Sequence, residues 1–237
     1  MSKKESFWIP YADLMTVLMV IFLFISLAYM GLVQFQKKEQ DKIFEEYKLT
    51  KENLLKELQQ TFEKDKERWN LELDEDLSIK FTNPQVLFDE GKSDVTPTFQ
   101  NILKEFLPKY LSVVMQDKYK DKIAEIRIEG HTNTKPINKT NDPYIDNMEL
   151  SQNRARNVLG FLRQQECFFQ LETSKKERLQ YWLTANGLSY GRTIDSNSNL
   201  TFNFNTEIDP NKSRRVEFRI VTTSEILVEK IIEQLNK

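Results

Sequence analysis

One carboxylate stands where an apolar run begins, and it is the first residue in this chain that invites a chemical reading. Asp13 lies within FWIPYADLMTVLMVIFLFISLAYMGLV, residues 7–33, and no charge follows it from Leu14 to Val33. On insertion scales a charged side chain deep in a span costs about 2.5–3.5 kcal/mol. Asp13 therefore either marks a water interface or faces a partner helix and takes up ions. Arg154 is the second candidate. Ser151 reads as a helix N-cap, and a guanidinium near a helix start can hold a carboxylate in two-pronged fashion beside further N–H donors. The chain has one histidine, His131, and one cysteine, Cys167, which excludes an internal disulfide framework and leaves zinc without its usual ligands. His131 reads as a structural turn residue and Cys167 as a quiet thiol. No nucleophile–base pair stands out, so neither an enzyme nor a resident metal or cofactor is expected. With a net charge of −2 and no basic footprint, nucleic acid is not an expected partner.

The elements that must position these residues fall into three segments. Residues 1–35 form a short start and an apolar stretch of about 20 residues, long enough for a helix to cross a bilayer. A cleaved signal peptide has a shorter apolar region, and a core helix would not be apolar all round, so a single transmembrane helix is the expectation. Lys3 and Lys4 before the span balance Lys37 and Lys38 after it, leaving orientation open. Trp8, Tyr11 and Tyr29 are candidate interfacial anchors.

Residues 36–76 lack Pro and Gly and are rich in helix formers. They read as an extended helical connector, roughly 52 Å over 35 residues. Leu55, Phe62 and Trp69 with Leu58 make a partial heptad, enough for weak pairing with a second copy. Residues 77–237 read as an α+β domain. Leu77–Phe81, the AEIRIEG segment around Ile126 and Ile128, and RRVEFRIV are expected strands. Helices are expected from Pro97, from Ser151, over Ser174–Leu183, and through SEILVEKIIEQL with Ser224 as its cap.

Two resemblances join the ends. WIPYADLMTVLMVIFLFISL resembles the transmembrane signature of the MotB family, the B subunits of ion-driven stator motors. That resemblance implies that Asp13 takes up and releases the translocated ion, H+ or Na+, with Tyr11 and Thr16 as pathway neighbours. A carboxylate near a membrane interior loses the solvation that favours its charged form, so its loaded and empty states prefer different surroundings.

The segments VLFDEGKSDVTPTFQNIL, IRIEGHTNTKP…NMELSQNRARNVLGFL and LTANGLSYGRTID…DPNKSRRVEFRI resemble the OmpA-like peptidoglycan-binding domain. This implies that Arg154 holds a stem-peptide carboxylate, that Asn147, Leu150 and Ser151 shape the pocket, and that Arg215 of the Arg214–Arg215 pair contributes. Asn133 stands where the family usually has an aspartate that would face the diaminopimelate ammonium. Asparagine brings no charge, so binding is weaker or Asp142 or Asp146 of the 134–146 insert helps. The role of a second polar insert, residues 192–212, is not legible.

Together the resemblances imply a homodimer inside a ring, expected to be a pentamer, of multi-pass A subunits in the inner membrane. The N-terminus would be cytoplasmic and the C-terminal domain periplasmic on peptidoglycan. The short start and continuous connector are most similar to a branch of the family that serves anti-phage defence. A flagellar-type stator and a passive wall tether are the alternatives.

Overall fold

The computed structural model describes residues 8–137 and 139–235; Lys3, Lys4 and the side chain of Trp8 lie outside what it describes. The elements in chain order are helix α1 (Trp8–Phe62), α2 (Lys66–Trp69), strands β1 (Leu71–Leu73) and β2 (Ser78–Phe81), α3 (Pro84–Leu87), α4 (Pro97–Val114), β3 (Ile123–Gly130), α5 (Pro143–Arg163), α6 (Glu166–Phe169), α7 (Thr173–Trp182), β4 (Leu183–Gly187), α8 (Thr201–Phe204), β5 (Val216–Thr222) and α9 (Thr223–Leu235). The strands make one sheet in the order β1-β2-β5-β3-β4. All neighbours pair antiparallel except β3 and β4, which run parallel across the α5–α7 crossover.

The sheet is two-faced because its strands alternate. Ile79 and Phe81 of β2, Ile126 and Ile128 of β3, and Val216, Phe218 and Ile220 of β5 face the helices and are essentially inaccessible. They meet Phe99, Leu103 and Phe106 of α4, Val158 and Leu162 of α5, and Trp182 of α7 in one core. Phe106 is central, with its ring 4.9 Å from Phe218 and 5.1 Å from Phe62. The opposite face carries Lys80, Glu129, Glu217 and Arg219.

Helix α1 is unbroken from the apolar stretch into that core. Its residues from Tyr11 to Phe35 are exposed, Phe22 at 72%, and this stretch is long and apolar enough to cross a membrane. Further along, Leu54, Leu58 and Phe62 repeat every four residues and are wholly buried. The positions read from sequence as a seam for a second copy, Leu58 and Phe62 with Trp69, are thus taken up by the chain's own core, and Leu55 packs at its margin. From Val33 to Thr50, the first buried position, α1 runs only about 25 Å, and the body already reaches this segment, because Lys122 pairs with Glu46 at 3.4 Å. The helix expected to run to residue 76 stops at Phe62. Buried Asp65 accepts from Arg68 and Lys109 there, Asn70 turns left-handed at φ 47°, and Leu71-Glu72-Leu73 alternates as an edge strand on β2.

Two helix starts also differ from the sequence expectation. Helix α5 begins at Pro143, because Asp142 accepts from the Tyr144 and Ile145 amides and Pro143 is preset for the first helical position. Ser151 lies mid-helix, donating back to the Met148 carbonyl. Helix α9 is capped by Thr222, not Ser224: the Glu225 amide donates to the Thr222 hydroxyl at 3.1 Å, and the Thr222 amide donates to the Glu225 carboxylate at 3.4 Å.

Candidate functional site

Close packing of α5 on the sheet creates the site. A Cβ at Gly130 would lie 2.2 Å from the Ser151 carbonyl oxygen, and one at Gly187 would lie 2.4 Å from the Gln152 amide nitrogen. Only glycine lets the helix approach both strand ends this closely. Ser151 secures the approach, since its hydroxyl accepts from the Ser189 amide at 3.0 Å. Asn147, one turn earlier, donates to the carbonyls of Lys135 and Pro143 and so ties the 134–146 insert to the helix.

The result is a cavity of about 190 Å³ lined by Glu90, Thr132, Asn133, Lys135, Asn147, Leu150, Arg154 and Arg214 among others. Arg154 is 5% exposed. Its Nε donates to the Lys92 carbonyl at 3.0 Å, and its guanidinium sits 4.8 Å from the centre of the Phe88 ring. Burial and the nearby Arg214 bring its pKa down to about 10, so it remains a cation at neutral pH. Among the described residues no carboxylate lies within ion-pair distance of it. A buried cation with no counterion among the described residues, beside a second arginine, is chemically suited to an anion, and a planar carboxylate would match the guanidinium's remaining N–H groups. The expected help from the helix N-terminus is absent, because Arg154 lies three turns into α5.

The structure brings Asn133, Asn147, Leu150 and Arg154 together, with Ser151 directly behind them. Arg215 is not brought here. Its Nε pairs with Glu217 and its Nη1 donates to the Arg192 carbonyl at 3.1 Å, on the polar face of the sheet. Arg214 lines the cavity instead. Period-two reading of the last strand would have found this, because Arg215 is in phase with Glu217 and Arg219. Asn133 is held in the wall, donating to the Pro210 carbonyl and accepting from the Lys135 amide.

Neither acidic substitute faces the cavity. Asp142 caps α5. Asp146 is buried and accepts from the Thr140 amide and hydroxyl and the Lys139 amide, which hold its carboxyl below the usual range. The carboxylate that does line the cavity is Glu90, paired there with Lys135. Nothing in the sequence around Glu90 distinguishes it from the neighbouring Asp89, and only the fold brings it to the cavity.

At the other end, Asp13 and Thr16 lie a turn apart on neighbouring parts of α1, whereas Tyr11 points around the helix from Asp13. All three are exposed, and Thr16 donates to the Ala12 carbonyl at 2.8 Å.

The model of the OmpA family matches residues 87–200. The Zorya protein ZorB of Escherichia coli (Crooks strain) is 35% identical over 230 residues, covering 96% of this chain and 92% of its own length. A second Zorya protein ZorB, from Escherichia coli O139:H28, is 26% identical over 227 residues, covering 92% and 80%. Among solved structures, a MotB-like protein from Desulfovibrio vulgaris superimposes with a TM-score of 0.43 at 21% identity, over 73% of this chain and 99% of that one.

Proposed function

Because this chain belongs to the family of the Zorya protein ZorB, we propose that it is the peptidoglycan-anchored B subunit of an ion-driven stator in the bacterial inner membrane, acting in anti-phage defence. One observation carries the reading. A single unbroken helix links Asp13, at the head of an apolar stretch that the described residues leave uncovered, to a body whose cavity holds Arg154 with no counterion among the described residues. The first end suits ion exchange and the second suits attachment to an acidic polymer.

In this reading α1 crosses the membrane with its N-terminus in the cytoplasm, and the body lies in the periplasm. Two copies sit inside a ring of multi-pass A subunits, a pentamer by resemblance. H+ or Na+ loads Asp13, with Thr16 beside it and Tyr11 near the interface, and each charge crossing 100 mV supplies about 2.3 kcal/mol. Arg154 and Arg214 take the stem-peptide carboxylate, while Glu90 supplies the negative charge that Asn133 lacks. Continuous helix between membrane and wall domain keeps the subunit from drifting while its neighbours move.

The test is a pair of variants in cells carrying the whole system. Asp13→Asn should keep co-purification with a multi-pass membrane subunit and retention on sacculi, yet lose phage protection and ion flux. Arg154→Ala should lose sacculus retention. Undiminished protection and flux with Asp13→Asn would leave only a passive tether.

A further inference from the structure

The polar face of the sheet holds a second cavity, about 240 Å³, roofed by residues of the 192–212 insert, including Ile194, Ser198, Asn199 and Phe204. At its floor three side chains of ligand type converge. Glu129 and His131 alternate off the end of β3, and Glu217 comes from β5, where Glu129 and Glu217 are direct register partners. All three are buried, His131 at 1% exposure. Its Nε2 lies 3.7 Å from the Glu129 carboxylate and 3.6 Å from that of Glu217.

These distances are too long for hydrogen bonds, and among the described residues neither imidazole nitrogen has a hydrogen-bond partner. The Glu129 carboxylate accepts no hydrogen bond from a described residue either; its nearest cation, Arg192, stands 3.8 Å away with a half-exposed side chain. Buried polar groups left this way are costly unless something else meets them. Two atoms each about 2.1 Å from a tetrahedral metal lie about 3.4 Å apart. The spacing around Nε2 is therefore close to the edge of a metal's coordination shell. One imidazole nitrogen with two carboxylate oxygens is a donor set that suits zinc.

We propose that Glu129, His131 and Glu217 bind a divalent cation of the zinc class, which fastens the 192–212 insert to the sheet. Arg215 stays bonded to Glu217 as an outer partner that fixes the carboxylate, and it also holds the Arg192 carbonyl at the start of the insert. Arg192 gives up its loose approach to Glu129 and turns to solvent.

The experiment uses the tag-free full chain in detergent, stripped with a chelator, dialysed, and titrated with zinc chloride by calorimetry and elemental analysis. One equivalent should bind at micromolar zinc or below. At a tenfold excess over the dissociation constant the thermal midpoint should rise by roughly 3–6 °C. His131→Ala should abolish binding, and Glu129→Gln should weaken it on the order of tenfold or more with unchanged circular dichroism. Glu129→Gln keeps the side-chain volume and decides the matter if His131→Ala fails to fold. A parent chain that retains no zinc would overturn the proposal, leaving water to fill the site. An unchanged equivalent in the variants would overturn it equally, since the zinc would then lie elsewhere.

Discussion

The guanidinium of Arg154 rests 4.8 Å from the centre of the Phe88 ring while its Nε donates to the Lys92 carbonyl. Ring and carbonyl fix the plane of a buried cation, leaving the other N–H groups for a ligand. Lysine could replace the charge but not the fork or the stacking. Arg154→Lys is therefore expected to lower sacculus binding on the order of tenfold, and Arg154→Ala further. Cosedimentation of the purified protein with sacculi measures both. Equal binding by Arg154→Lys and the parent would show that only net charge matters.

Glu90 sits across the same cavity, paired with Lys135. If it takes the ammonium of the stem peptide, Glu90→Gln should weaken binding to diaminopimelate-bearing sacculi severalfold. Asp142→Asn should leave that binding nearly unchanged, because Asp142 is occupied in capping α5. The same cosedimentation assay separates them, and the opposite ranking would return the role to the insert.

Two glycines of the domain should respond in opposite directions to alanine. At Gly130 the new methyl would meet the Ser151 carbonyl oxygen at 2.2 Å, so α5 must shift off the strand end. A loss of about 1–3 kcal/mol or more is expected, since overpacking a tight contact forces backbone movement. At Gly160, within α5, nothing lies within 4 Å of the added atom. Alanine there should stabilise the helix by about 0.5–1 kcal/mol. Denaturant unfolding of the two variants tests the pair.

Sequence texture divides the chain at residue 76, whereas packing starts the folded unit earlier. Leu54, Leu58 and Phe62 are wholly buried, and Trp69 and Leu71 nearly so. A fragment beginning at residue 77 would leave the face of α4 uncovered and should not fold, whereas one beginning near residue 45 should. In the full chain Leu58→Ala is expected to cost about 2–5 kcal/mol. Near-ultraviolet circular dichroism of the fragments and unfolding of the variant are the measurements.

What sequence made legible was whatever repeats or stands alone. The uncharged run after Asp13 and the period-two strands around Ile79, Ile128 and Phe218 declare themselves. Most of the cavity wall followed from motif order. What escaped was set by contacts distant in the chain. Leu54 and Phe62 look the same whether they meet a second copy or α4, because an apolar stripe does not name its partner. Strand β4 is marked by little beyond Gly187, and it forms because the crossover returns it to β3. Glu129 and His131 are two residues apart in sequence, but Glu217, some 86 residues further on, becomes their neighbour only through antiparallel register.

The hold of the body on α1 should weaken in acid. Glu57 of α1 accepts from Lys118, beyond α4, and from Gln116 at 3.0 Å. Partial burial works against its charge, but the Lys118 and Tyr119 contacts outweigh burial and bring its pKa below 4.5. A depressed folded pKa means that the stabilisation is present above the unfolded value and is lost as pH falls through the folded one. Lys118 is half exposed, so the pair contributes no more than about 1 kcal/mol. Glu57→Gln should therefore lower stability by that amount or less at pH 7, and parent and variant should converge as pH falls through and below the usual carboxylate range. Raising salt at pH 7 should shrink the same difference, because the pair is only partly shielded from water. A gap that persisted unchanged into acid would mean that Glu57 acts through packing rather than through its charge.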